Sequence, residues 1–126
     1  MNMNDQASGP DKATQKSPPT MLGMPYWSAN PVENGATTTL SVPIEYKKDK
    51  IIAGEYMGNN DPGEGSGSAM EVKDDHLVAS ILVNLPVGPH PINIRAKAAD
   101  GTWSALEATV LTVMSTPLIT KDTGAA

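Results

Sequence analysis

The chain has 126 residues, 14 acidic against 9 basic side chains for a formal net charge of −5, and neither Cys nor Phe. That is one domain's worth of chain; the lack of Cys excludes disulfides, zinc thiolates and a thiol nucleophile, and no run of 18 apolar residues offers a membrane span. The acidity is local, with Glu55, Asp61, Glu64, Glu71, Asp74 and Asp75 opposed only by Lys73 within residues 51–75, a stripe that repels phosphate backbones and argues against a nucleic-acid partner while suiting a cation or a basic protein surface.

Residues 1–20 hold almost nothing that could enter a core, so they are expected to form a flexible arm. No basic segment followed by an apolar run stands there, so no secretory signal is expected within the chain. Residues 21–116 are expected to form the folded domain and 117–126 a frayed tail. From Met21 to Asn34, Pro25 and Pro31 interrupt any ladder, which predicts an irregular edge strand closing on the turn signal Asn34-Gly35.

Thr38 to Lys47 alternates strictly, with Thr38, Leu40, Val42, Ile44 and Tyr46 on one face, and Pro43 on the other marks an edge or a bulge. After the polar turn 47–50, Ile51 to Met57 gives a third strand of weaker pattern with Gly54 inside it. Gly58 to Ser68 carries four Gly and one Pro in eleven residues and reads as a loop. Ala69 to Val72 pairs briefly. Leu77 to Leu85 reads as a central strand covered in part on both sides. Pro86 and Gly88 make a tight corner before Ile92 to Ala98, whose Ile92, Ile94, Ala96 and Ala98 face a core while Asn93, Arg95 and Lys97 face water. A turn at 99–102 and a Thr- and Val-rich strand from Ala105 to Met114 follow. Six or seven short strands with turn signals and no 3.6-residue repeat predict an all-β, immunoglobulin-like Greek-key β-sandwich.

Two segments carry a resemblance. Glu55-Tyr56-Met57 running into Asp61-Pro62-Gly63-Glu64-Gly65-Ser66-Gly67, and Leu85, Gly88, His90, Arg95, Lys97, Gly101, Trp103 and Ser104 further on, resemble motifs of bacterial Ig-like and fibronectin type III-like surface modules. Asn30 to Ala36 is similar to the opening turn of such domains. The resemblance covers residues 28 to 114 and implies the sandwich fold and a place on a cell surface or in a secreted protein. It departs from the pattern at Met57, Pro91 and Ala99. The family usually recurs in tandem, whereas this chain shows one copy; a single module with a long arm also resembles accessory proteins of virus capsids and fibres.

Candidate sites are few. Asn59, Asp61 and Glu64 offer the hard oxygen ligands that Ca2+ prefers, but not at EF-hand spacing, and a solvated turn explains them equally. Gly63, Gly65 and Gly67 lack the Lys, the Ser/Thr and the helix of a phosphate loop. Tyr26 and Trp27 adjoin, so in an extended segment one faces outward and could stack on a sugar or anchor an interface. Trp103 in its Gly turn covers the core edge or meets a ligand. His76 and His90 are read as structural, and Asp74-Asp75 either alternate across a strand or sit in a turn, so they would not face one substrate. No catalytic triad or paired-carboxylate geometry is implied. The expected function is a non-catalytic structural or adhesive module acting on other protein subunits, with the arm as an assembly strand; the alternatives are a carbohydrate-binding module and a calcium-stabilised linker domain.

Overall fold

A computed structural model describes residues 18–115; all but the last three arm residues and the whole expected tail lie outside them. Among the described residues there are strands and loops and no helix. The strands are β1 (Met21–Leu22), β2 (Tyr26–Trp27), β3 (Val32–Glu33), β4 (Thr37–Tyr46), β5 (Ile51–Met57), β6 (Ser68–Lys73), β7 (His76–Leu82), β8 (Gly88–Ala98) and β9 (Glu107–Met114). Hydrogen-bonded neighbours run β1-β4-β7-β6-β5-β8-β9-β3, with β2 also paired to β4. β6 turns the corner between the layers. Its first half, Ser68 to Met70, pairs with β5, and its second half, Glu71 to Lys73, pairs with β7. A strand that changes sheets in this way joins two layers into a sandwich.

The alternation read from sequence produces the interior. Thr38, Leu40, Val42 and Ile44 of β4, Leu77 and Ala79 of β7, Ile92, Ile94, Ala96 and Ala98 of β8, and Leu111 and Val113 of β9 are all buried. Complete burial of a Leu or Ile side chain stabilises by about 1.5–3 kcal/mol, and Leu40, Leu77, Ile94 and Leu111 are each at or below 1% exposure. Tyr46, expected on the same face of β4, lies at the end of the strand and is exposed instead, where β1 pairs through a shifted register.

Three prolines sit within strands without breaking the ladder, each for a stated reason. Pro43 accepts a hydrogen bond from the Gly23 amide at 2.8 Å. In extended chain a residue's N and O point to the same side, so its missing donor faces the interrupted edge pieces β1 and β2. Pro89 and Pro91 lie opposite Thr112 and Val110, which direct their own backbone groups away from β8 to Asn30. The proline nitrogens therefore point toward β5, whose pairing with β8 has already stopped at Asn93. This is why β8 begins four residues before the expected start.

Two other expectations are corrected. Thr20, assigned to the arm, is buried, and its hydroxyl accepts from the Lys48 amide at 3.2 Å, so the folded part begins before residue 21. Arg95, assigned to the water face of β8, is 4% exposed. The outer face there is roofed by the 58–67 loop.

Candidate functional site

The roofed cluster starts from a cross-strand pair. Glu55 of β5 and Arg95 of β8 are directly opposite on the outer face of their sheet, so their side chains must meet. Arg95 Nε donates to Glu55 Oε2 at 2.6 Å, with both side chains 5% exposed. Its two terminal nitrogens donate to the two carboxylate oxygens of Asp61 at 2.9 and 2.8 Å, the bidentate fork that guanidinium geometry favours. The loop is pinned again from below. Amides of Gly65 and Gly67 donate to Glu55 at 3.2 and 3.1 Å, and the Gly63 amide donates to Asp61 at 2.8 Å. A Cβ on Gly67 would lie 2.9 Å from the Tyr56 carbonyl oxygen, so the loop can seat this closely only as Gly.

The electrostatics follow the contacts. Hydrogen bonds from Arg95, then from the Gly63 amide, hold the Asp61 carboxyl below the usual carboxylate range. The Arg95 guanidinium is raised above its ordinary value, first by Asp61 and against its own burial. Trp103 lies across the same group, its ring centroid 5.5 Å from the Arg95 guanidinium carbon and 5.8 Å from Lys97 Nζ, within reach of cation–π attraction. The cluster is a clasp that holds loop to sheet.

The expected site residues are thus dispersed. Asp61 faces Arg95, while Asn59 and Glu64 contribute no contact to the clasp, and among the described residues no three His, Asp or Glu side chains converge to hold a metal ion. Trp27 is half-buried against the core and its indole donates to the Thr109 hydroxyl at 3.0 Å, tying the two layers together at one side. Tyr26 is 53% exposed on the outer face of the other sheet, edge-on to His76 with ring centroids 6.2 Å apart. It borders a shallow groove with Ser41, Lys73, Asp74 and Val78. Tyr26 and Trp103 occupy opposite outer faces, so the three aromatics form no common platform. Glu55 and Arg95 escaped the sequence reading as a pair. The signal was a charged residue within each of two neighbouring strand patterns, but alternation does not say which outer face is roofed.

A second feature is a cleft of about 470 Å³ at the pole where β5 and β7 end. Tyr56, Met57, Ile81, Leu85, Ile92 and Leu111 line it with the polar Asn59, Ser68, Asn84 and His90, and among the described residues no Asp, Glu, Lys or Arg lines it. His90 Nε2 donates to the Pro86 carbonyl at 2.6 Å, since a carbonyl can only accept, which fixes the ring in the corner.

No protein-family model matches the sequence, and comparison with curated proteins gives no match. Among solved structures the chain is similar to one reported under "Structures of Clostridium thermocellum CbhA fibronectin(III)-like modules". The identity is 12% and the TM-score 0.51, over 73% of this chain and 98% of that one. At this identity the likeness is one of fold, and it agrees with the expected immunoglobulin-like, fibronectin type III-like sandwich.

Proposed function

We propose that the chain is a non-catalytic module that works through surface contacts, as a structural, adhesive or decorating unit on a cell surface, a secreted protein or a virion. The observation that carries this reading is the likeness of nearly a whole fibronectin(III)-like module to this sandwich. The clasp supports it. A loop fixed by Arg95, Glu55 and Asp61 presents a rigid contact surface at little ordering cost, because its conformation is set before any partner arrives. The N-terminal arm, read from the sequence as residues 1–20, acts in this reading as an assembly strand that adds to a neighbour's sheet edge. Sedimentation and electron microscopy of the full chain beside a version without residues 1–17 test it. Loss of self-association or of particle attachment on removal supports the arm's role; identical behaviour removes it.

A carbohydrate-binding reading rests on Tyr26, the exposed ring beside the groove of Ser41 and His76. Affinity electrophoresis against a polysaccharide panel tests it: retardation abolished by Tyr26→Ala supports a sugar platform, and absence of retardation eliminates one. The calcium reading requires Asp61 to exchange Arg95 for a cation. A melting temperature unchanged by chelator is the outcome expected from the clasp, and a drop of several degrees would restore calcium as the stabiliser.

A further inference from the structure

One strand edge beside the cleft is open. β7 pairs with β4 along its whole length, from Thr37 opposite Leu82 to Pro43 opposite His76. On its other side it pairs with β6 only from His76 to Val78. The Val83 amide and carbonyl bond to Ala36 and Gly35 on the β4 side. Backbone groups alternate sides along a strand, so those of Ser80 and Leu82 point away from β4. Among the described residues neither is paired there.

The same edge carries no charge. From His76 to Asn93 the chain holds no Asp, Glu, Lys or Arg, although residues 51–75 just before it carry six acidic side chains. Soluble proteins guard open edges with charges or prolines. Other edges here follow that rule, with Glu33 in β3 at the end of the strand order and Pro43 facing the interrupted β1 and β2. Leu82, by contrast, stands at the lip of the cleft at 68% exposure. An unguarded edge is a template for an added strand.

We propose that this edge, with the cleft behind it, accepts an extended, uncharged peptide strand of a partner protein that carries apolar side chains at alternate positions. Three features select that chemistry. The backbone groups of Ser80 and Leu82 recur two residues, about 7 Å, apart, which is the repeat of an extended backbone and not of a compact small molecule. Side chains of an added strand share a face with those directly opposite. Those opposite Ile81 and Val83 therefore enter the cleft, whose volume of about 470 Å³ is ample for two of them, and those opposite Ser80 and Leu82 stay outside. Finally, the walls are neutral, so a charged residue entering them would lose its water without gaining a counter-ion. The inference rests on the surface-contact reading above for its partner being a protein, and it makes the sandwich an acceptor whether or not the arm is a donor.

Titration of the full chain with the blocked pentapeptide acetyl-Thr-Val-Ser-Val-Thr-amide, followed by amide NMR, tests it. Saturable shifts at Ser80 and Leu82 are expected, with amide exchange there slowed about ten-fold or more, as one added hydrogen bond can produce. The same peptide with Lys at both Val positions should not bind. Ser80→Pro removes an N–H that no ladder bond uses and leaves the cleft lining unaltered, so binding should weaken about ten-fold or more. If that variant fails to fold, Leu82→Lys, at an exposed position, is expected to give the same loss. No saturable change at millimolar peptide would overturn the proposal, as would shifts at Ile92 and Leu111 without any at Ser80 and Leu82, the mark of a pocket that takes a side chain but no strand. Protection of both amides in the protein alone would also overturn it, assigning the edge to the chain itself, or to a second copy if protection grows with protein concentration. None of these failures touches the sedimentation and microscopy comparison, which tests the arm separately.

Discussion

Removing Arg95 strands Glu55. The two side chains share a 2.6 Å hydrogen bond at 5% exposure, and a buried charge left without its partner costs about 3–5 kcal/mol. Arg95→Ala should therefore lower the urea unfolding free energy by about that amount, whereas Asp61→Asn, whose side chain is 45% exposed, should chiefly release the loop. Acid separates the two effects. The Asp61 carboxyl is depressed in the folded protein, so its contribution is complete above the unfolded value of about 3.9 and is lost as pH falls through the lower folded value. Asp75 and Asp100 are also depressed, by Lys47 and by Thr102 respectively, so global melting would mix all three. Amide exchange at Gly63, bound directly to Asp61, isolates the clasp: it should accelerate below about pH 4 and should lack that response in Asp61→Asn. Asn30 makes a comparable point without charge. Its side-chain amide donates to the Val110 carbonyl at 2.8 Å and its oxygen accepts from the Thr112 amide at 2.9 Å, continuing the edge of β9 ahead of β3 as a peptide group would. Asn30→Asp keeps the acceptor, loses the donor and sets a carboxylate against a carbonyl, so a stability loss of about 1–3 kcal/mol is expected in the same unfolding assay.

At the level of single strands, apolar alternation located β4 to within a residue, because one of its faces lies in the core and the period-2 pattern reports that face directly; β5 and β9 were placed to within a residue or two on weaker patterns and their flanking turns. The pattern failed where a second layer intervenes. Arg95 sits on the polar face of β8 and is buried all the same, since the 58–67 loop covers it; only the pairing of β5 with β8 reveals which outer face has a roof. β8 was also read as too short, because the corner at Pro86 and Gly88 was extended up to Ile92, whereas the strand already begins at Gly88 with the nitrogens of Pro89 and Pro91 directed away from β9. The Asp74-Asp75 pair was legible only as a strand segment or a turn, and the structure makes it a turn of defined type. Both residues have positive φ, 51° and 60°, between the paired ends Lys73 and His76, which is the mirror-image two-residue hairpin that prefers Asn-Gly. Among the described residues Asp74 makes no ion pair, so Asp74→Gly should relieve left-handed backbone strain and raise the thermal midpoint, by about 0.5–1 kcal/mol in stability. Asp75→Gly should gain less, because it also removes the exposed pair with Lys47.

Closure of the whole sandwich depends on how near its two layers come at β5 and β7, a distance no single-strand pattern encodes. Gly54 interrupts an otherwise bulky strand, and the reason lies in the opposite sheet. A Cβ built there would fall 2.6 and 2.7 Å from the two δ-carbons of Leu77. Flexible side-chain ends ordinarily give way, but Leu77 is completely buried within the core cluster, where close packing leaves side chains little room to move. The glycine thus marks a close approach of the two layers. Gly54→Ala should cost about 1–3 kcal/mol by overpacking, and Leu77→Ala about 2–5 kcal/mol by leaving a cavity. Combined, the added methyl enters the space the leucine vacates. The double variant should therefore be more stable than the sum of the single losses by about 0.5–3 kcal/mol, measured as a double-mutant cycle in urea. Strict additivity would mean that Gly54 answers to backbone freedom within β5 and that the layers are not in contact there.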